Sequence, residues 1–506
     1  MPGSIPTRFM FAARLREYPH ESRILIWAWF WALIFFGARL TFIPLINLAP
    51  DEAYYWEWSR HPALSYYDQG PMLAVAIRFG TWLFGNNELG VRFPSALSGL
   101  VLSALAIWFC RRILNQPQAA LWAVLGLNGM LLYAVGGVLM VHDSLQVGFW
   151  ALALACLELA IEGPGLGWWL GFGFLGGLGI LSKYTGVFLF PLAGLAFLSH
   201  PELRPKLKSA GPWLALLLGV LSGIPILIWN AQNGWASAQH VLYIGGANPS
   251  RHSLASFPEF LGSQLGVVTP ILFILILQVW WEGWRRRRQE KLSPREWILW
   301  CCSFPLFLFF LCLSIRSKVA ANWPAPAYFG GILLLAASLH RQQRLHSPLA
   351  RWGLILAFAM TALLHWQVAR PFLPPSPSVA RLDSTARVDG WSDLAQHVET
   401  LRRNFPGKSF VGCRTYQIAA ELGFYLPDHP QVLILQDRII NHQYRFWNRP
   451  EEHIGQDAIL VVGQDWEIDE MIHRFGKVEP LEDFLVFRNG IEVQRFRFFR
   501  GMGFKG

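Results

Sequence analysis

Eleven apolar stretches, near 24–46, 93–110, 118–138, 143–161, 166–182, 184–199, 212–230, 260–281, 296–315, 323–340 and 350–368, leave this chain few ways to fold. At about 1.5 Å rise per residue, a stretch of roughly 20 residues crosses a hydrocarbon layer about 30 Å thick as a helix. A soluble protein cannot bury so much apolar surface: 53% of the 506 residues are hydrophobic, with 25 Trp and 37 Phe. The expected architecture is an α-helical polytopic membrane protein of about 11 transmembrane helices.

Charge in the connections gives the orientation. Arg111/Arg112, Arg204/Lys206/Lys208, Arg285–Arg288 and Arg341/Arg344 all fall on one side if the N-terminus is there too. The positive-inside bias makes that side cytoplasmic. Topology therefore accounts for the net charge of +10 better than nucleic-acid binding does. The first span follows Arg8, Arg14, Arg16 and Arg23, is too long for a signal peptide and lacks a small-residue cleavage site, so it reads as an uncleaved anchor. Five cysteines (Cys110, Cys156, Cys301, Cys302, Cys312) lie in or beside spans and only Cys413 in a polar region, which excludes a disulfide framework or a CxxC metal signature.

Two domains are expected: a transmembrane domain over 1–370 with an outer-face loop over 47–92, and an extracytoplasmic small α/β domain over 371–506 that starts at Pro371-Phe-Leu-Pro-Pro. In the second, Trp391, Leu394, Val398 and Leu401 mark one helix face. Strand-like runs cover Val432–Leu435, Ile459–Val462 and Phe484–Phe487, and Asn489-Gly490 signals a hairpin into Ile491–Phe496. Within the loop, Pro71–Phe84 is apolar on one side and should lie along the membrane interface as a short helix.

Chemistry concentrates on the outer face. Asp51 and Glu52 follow Pro50 and lead straight into Ala-Tyr54-Tyr55-Trp. An isolated acid there would merely be solvated, but two acids against aromatics and lipid are partly desolvated, which raises proton affinity and suits a general base. Asp68, in Tyr66-Tyr67-Asp68-Gln69-Gly70-Pro71, has similar surroundings. His142-Asp143 open the fourth span, where an acid is either a helix N-cap or a second functional carboxylate. Lys183, Arg316 and Lys318 are cations on the side the positive-inside bias disfavours. They either pair with these acids or bind an anionic lipid headgroup such as a phosphate.

Other signals read more plainly. Gly171-Phe-Gly-Phe-Leu-Gly-Gly-Leu-Gly lies inside a span, and Gly173/Gly177 have the spacing of packed membrane helices, not of a phosphate loop. Arg285–Arg288 is an inner-side anchor. His240 and His252 in the outer loop 231–259 are solvent-facing residues or metal ligands beside an acid. No Ser-His-acid arrangement, Walker sequence or nucleotide fingerprint stands out, so if the chain is a transferase, a lipid-borne donor fits better than a cytosolic nucleotide sugar.

Asp51-Glu-Ala-Tyr-Tyr-Trp, Tyr66-Tyr-Asp-x-x-Pro and Val91-Arg92-Phe-Pro-Ser together resemble the first loop of bacterial GT-C membrane glycosyltransferases, relatives of protein O-mannosyltransferases, the lipid A aminoarabinose transferase and rhizobial galacturonosyltransferases. Leu181-Ser-Lys-Tyr-Thr, Lys318-x-x-x-Asn322-Trp-Pro-Ala-Pro-Ala-Tyr and Tyr416-Gln-Ile-Ala-Ala-Glu-Leu-Gly-Phe-Tyr-Leu-Pro resemble the same subgroup. The resemblance implies a multi-pass protein of the bacterial inner membrane that moves a sugar from a polyprenyl-phosphate-linked donor to a lipid, glycan or protein acceptor. It implies Asp51 as catalytic acid with Glu52 beside it and Asp143 as the second acid. Lys183 and Lys318 would stand near the donor phosphate; Arg316 is added to them as an outer-side cation, and Tyr54, Tyr55, Tyr67 and Arg92 are candidate substrate contacts. Asp68, with His240, would hold a possible divalent metal, but Gln69-Gly70 and Asn233 depart from the residues usual in relatives. No redox or nucleotide cofactor is implied. A transporter or lipid flippase would need ionisable groups deep in several spans, and Glu158 is the main one read here; an inactive scaffold is the third reading.

Overall fold

The computed structural model describes residues 19–163, 165–247, 255–372, 383–405, 409–436, 441–463 and 468–506. The basic residues Arg8, Arg14 and Arg16, His252 and the prolines at 374–375 lie outside them.

Apolar stretches become helices near the expected limits: Pro19–Phe42, Glu88–Trp108, His142–Glu162, Leu166–Ser182, Ala325–Arg341 and Pro348–Ala369. Among the described residues, six helical stretches are long and apolar enough to cross a membrane, or up to seven if one bent pair counts as a single span. The expected eleven includes shorter pieces such as Leu166–Ser182. The stretch at 260–281 is not one straight span. It is two helices, Ser256–Val267 and Pro270–Arg288, bent by 106°. Pro270 disfavours a helical residue before it, and Thr269 takes φ 77°, a strained value for a β-branched side chain.

Glycines let two of these helices close up. A Cβ on Gly173 would strike the backbone of Ala215, and one on Gly177 the Ser222 side chain, so the glycine run packs Leu166–Ser182 against Ala210–Ser222.

The cation-rich connections meet at one end of the bundle. Glu296 accepts from Arg286 (3.0 Å) and Arg341 (2.6 Å), and Glu162 pairs with Arg112 (2.9 Å) and Arg295 (2.6 Å). Among the ionisable groups buried within the spans are Glu158 and Arg39, the latter without a role in the sequence analysis. Arg39 donates to Asn128 at 2.9 Å.

At the opposite end, the loop over 47–92 folds into helices Pro50–Arg60 and Met72–Phe84. Val75, Phe79 and Trp82 of the second are exposed while Leu73, Ala74 and Ile77 are buried, the two-faced pattern of an interfacial helix.

The C-terminal domain is a mixed sheet in the order β2-β1-β3-β6-β4, with β5 also paired to β6. β1 (Ser409–Cys413), β2 (Leu433–Ile434) and β3 (Asp457–Gly463) run parallel, while β4 (Phe475–Pro480), β5 (Phe484–Arg488) and β6 (Ile491–Phe504) pair antiparallel. Asn489 (φ 49°) and Gly490 (φ 78°) turn β5 into β6, as a two-residue hairpin requires. Ala458–Val462 of β3 are apolar and buried because both faces are covered. Ile459 and Val461 join a core shared with Ala53, Trp56, Leu73 and Ile77 of the loop helices, and Leu460 and Val462 join a second on the far face. The loop helices and the C-terminal domain therefore share one hydrophobic core.

Candidate active site

Helix Pro50–Arg60 starts with proline at its first position and two acids in its first turn, where a pre-set φ and the helix dipole both favour them. Successive residues on a helix are about 100° apart, so the two acids meet opposite surroundings.

Glu52 points inward. Its carboxylate accepts from Arg92 at 2.9 and 2.6 Å, from the Met140 amide at 2.8 Å and from the Ala49 amide at 2.9 Å. Arg92, fully buried, gives its other donors to the carbonyls of Ile43, Ile46 and Asn47. This geometry does not fit the expectation that Glu52 works beside Asp51 or that Arg92 touches substrate. Every oxygen and donor is engaged, and the pair ties the first span to the loop.

Asp51 points outward and is exposed. Its Oδ1 accepts from the Tyr416 hydroxyl at 2.9 Å, and no described residue donates to Oδ2. The expectation of a partly desolvated acid is met instead at Asp68. Burial pushes that carboxyl up to about 6, against the Tyr54 bond that lowers it, and the nearby Asp51 charge raises it further.

The tyrosines divide in the same way. Tyr54 is buried; its hydroxyl donates to Asp68 Oδ2 at 2.8 Å and accepts from the Gln443 amide at 2.7 Å. Gln443 Oε1 in turn accepts from the Tyr67 amide at 2.7 Å, and the Tyr67 ring packs with Trp229 and Ala236. In this structure both are internal struts. Tyr55 is half-buried, and its hydroxyl is held well above the usual phenol range by burial and by the charges of Asp51, Asp68 and Asp143. It marks where three acids distant in sequence converge.

Asp143 is not a cap. One oxygen takes the Lys183 ammonium at 2.6 Å and the other the Asn322 amide at 2.6 Å. Of the two readings of Lys183, the structure shows the pairing with an acid. Beside it, the Tyr184 amide donates to Gln69 Oε1 at 3.0 Å, and Gly70 lies so close to the Leu181 carbonyl that any Cβ would overlap it. Gln69-Gly70 thus docks the first loop on the Lys183 turn. Lys318 is exposed and pairs with exposed Glu259 at 2.9 Å, and Arg316 is exposed with no ion pair to a described residue.

His240 Nε2 lies 3.6 Å from Asp68 Oδ1. Among the described residues no group of three His, Cys, Asp or Glu is placed to hold a metal ion, so this pair alone falls short of a ligand set. Tyr416 and Gln443, which the sequence reading gave no role, come from the C-terminal domain with His442. Burial lowers His442 to about 4, which makes it a neutral aromatic wall 5.1 Å from Tyr416. Tyr416 stood in a quoted motif, but nothing local to it indicates a partner 365 positions away.

With three carboxylates gathered at one end of a helical bundle beneath a small α/β domain, the chain has the GT-C fold of membrane glycosyltransferases. The ArnT structure from Cupriavidus metallidurans superimposes in its apo state with a TM-score of 0.65 over 93% of this chain and 97% of that one, at 17% identity. Its form bound to undecaprenyl phosphate superimposes at 0.64 over 92% of this chain and 96% of that one, at 16% identity. Residues 68–229 match the family model described as dolichyl-phosphate-mannose-protein mannosyltransferase. In sequence the chain is similar to the lipid A galacturonosyltransferase RgtD of Rhizobium johnstonii, 27% identical over 60% of this chain and 64% of that protein. It is also similar to the undecaprenyl phosphate-alpha-4-amino-4-deoxy-L-arabinose arabinosyl transferase of Edwardsiella ictaluri, 28% identical over 58% of this chain and 55% of that protein. The matched region thus spans less than two thirds of either relative's length.

Proposed function

We propose that this protein transfers a sugar from a polyprenyl-phosphate-linked donor to an envelope acceptor (lipid A, another glycolipid, a glycan or a protein) at the acidic end of the bundle. The observation that carries this reading is Asp51. Glu52 and Asp143 are consumed by buried ion pairs, and Asp68 lies half-buried between Tyr54 and His240, while Asp51 stands exposed with no described residue donating to Oδ2. In the reaction, Asp51 Oδ2 takes the proton of the acceptor hydroxyl or amine as that atom bonds to the anomeric carbon. The bond from that carbon to the phosphate oxygen breaks, and the lipid phosphate departs with the electron pair. Arg316 and Lys318 meet the departing phosphate, the electrostatic contribution that usually dominates such a step, from the turn that ends at Asn322 on Asp143. Lys183 acts beneath them by holding Asp143. Among the described residues, the metal ligands this reading has to offer are Asp68 and His240, and no step depends on them. The undecaprenyl phosphate bound by the structural relative and the lipid A and polyprenyl-phosphate substrates in the relatives' names favour the same donor and acceptor classes. A sugar-transfer assay in proteoliposomes with mixed polyprenyl-phosphate sugars tests the activity, and absence of transfer from every donor would reject it.

The cations separate two roles. Arg316→Met or Lys318→Met should weaken donor binding by roughly tenfold or more, the effect of a charge-assisted hydrogen bond, and leave binding of an uncharged polyprenol unchanged. Lys183→Met should lower fold stability and affect both lipids alike. Equal effects of all three on phosphorylated and unphosphorylated lipid would reject the phosphate contact.

Orientation follows from the charge asymmetry: the arginine-rich end is cytoplasmic, and the acidic end with residues 371–506 is periplasmic. Reporter fusions within 285–290 and after Gly506 should report opposite sides. The same side for both would remove the periplasmic site.

A further inference from the structure

We infer that the C-terminal domain completes the catalytic centre, with Tyr416 as the positioning residue that aims Asp51. The inference rests on the glycosyltransferase reading above and adds a residue to it from a different domain.

An exposed aspartate rotates freely about its side-chain bonds, and a base that samples several rotamers spends little time aimed at the acceptor. Asp51 has no partner from its own helix to stop this. Among the described residues its one side-chain hydrogen bond comes from Tyr416, at the start of helix Tyr416–Tyr425 just beyond β1. The phenol takes Oδ1 and leaves Oδ2 for the acceptor proton. Tyr416 is itself fixed, its ring 4.8 Å from that of Tyr54 and 5.1 Å from that of His442. Burial and the Asp51 charge hold its hydroxyl far above the usual phenol range, so it donates at any physiological pH.

The docking of this helix is equally specific. At its other end, the Tyr425 hydroxyl donates to Glu88 and accepts from the Leu48 amide, both at 2.8 Å. Gln443 grips Tyr54 and Tyr67 alongside. The helix is therefore held on the first loop at both ends, and only the Tyr416 end touches the reacting group. Asp51 is aimed only while the domain is seated.

Full-length protein in proteoliposomes supplies the test. Tyr416→Phe keeps the ring and removes the hydroxyl. It should lower kcat about 10- to 100-fold, the scale of a misaimed group, with donor KM and melting temperature near wild type. Tyr425→Phe loosens the same helix away from Asp51, and should lower the melting temperature while changing kcat only a few-fold. Because Tyr416 acts through Asp51, adding Tyr416→Phe to Asp51→Asn should cost nothing further. Wild-type kcat in Tyr416→Phe, loss in step with melting temperature in both tyrosine variants, or a full additional loss in the double variant would each overturn the inference. If Asp51→Asn alone keeps wild-type turnover, the underlying assignment of Asp51 fails instead.

Discussion

Asp51→Asn is expected to lower sugar transfer by at least about 100-fold, the usual loss when a general base is removed. The substitution keeps the volume of the side chain and leaves an oxygen for the Tyr416 hydroxyl, so local geometry is retained. Asp51 is exposed at the first turn of its helix and supports no buried contact. Expression, melting temperature and donor binding should therefore match wild type while single-turnover transfer collapses. Turnover within a few-fold of wild type would move the base to Asp68. That carboxyl, held at about 6, is mostly ionised at neutrality and still basic enough to take a proton, which makes it the next candidate among the acids.

The neighbouring residue should behave in the opposite manner. Arg92→Met leaves Glu52 as a buried carboxylate without its cation and strands the carbonyls of Ile43, Ile46 and Asn47. Breaking a buried pair from one side costs about 3–5 kcal/mol, enough to remove much of the stability of an ordinary domain. The expected result is a large fall in melting temperature in detergent and poor yield, with whatever folds still binding donor. A double replacement, Glu52→Gln with Arg92→Met, should recover part of the loss because no isolated charge remains. A stable Arg92→Met variant with weakened donor affinity would restore Arg92 to the substrate side.

These two adjacent acids show where sequence reading stops. Asp51 and Glu52 share a motif, a helix turn and a charge, and nothing in their local sequence separates them. The distinction comes from a rotation of about 100° and from Arg92, forty positions on. The same limit left open whether Lys183 pairs with an acid, and with which; its pairing with Asp143, and the part of Asn322 in it, join three separate segments. Arg39 was passed over because a single cation barely lowers the hydropathy of a long span; its place beside Asn128 appears only when helices pack. Local signals fared better. The turn at Asn489-Gly490 needed only two residues that tolerate positive φ, and helix Trp391–Asn404 showed its apolar face by spacing alone. Short β1 and β4 were not legible because, unlike β5 with Asn489-Gly490 beside it, they carry no turn signal to add to the weak periodicity of five or six residues.

Sequence by itself determined that the chain is built of apolar helices, that cation-rich connections recur between them, that the C-terminal region has α/β character and that its motifs resemble GT-C enzymes; it did not determine the number of spans. Each depends on composition or spacing within about twenty residues, the range over which hydropathy and periodicity act. Only the tertiary structure decided which acid is free, which cations are committed and that the C-terminal domain reaches the site through Tyr416. Those outcomes depend on contacts a few ångströms long between residues 40 to 365 positions apart. Hydrogen bonds and desolvation fall off over such short distances that only the folded chain assigns them.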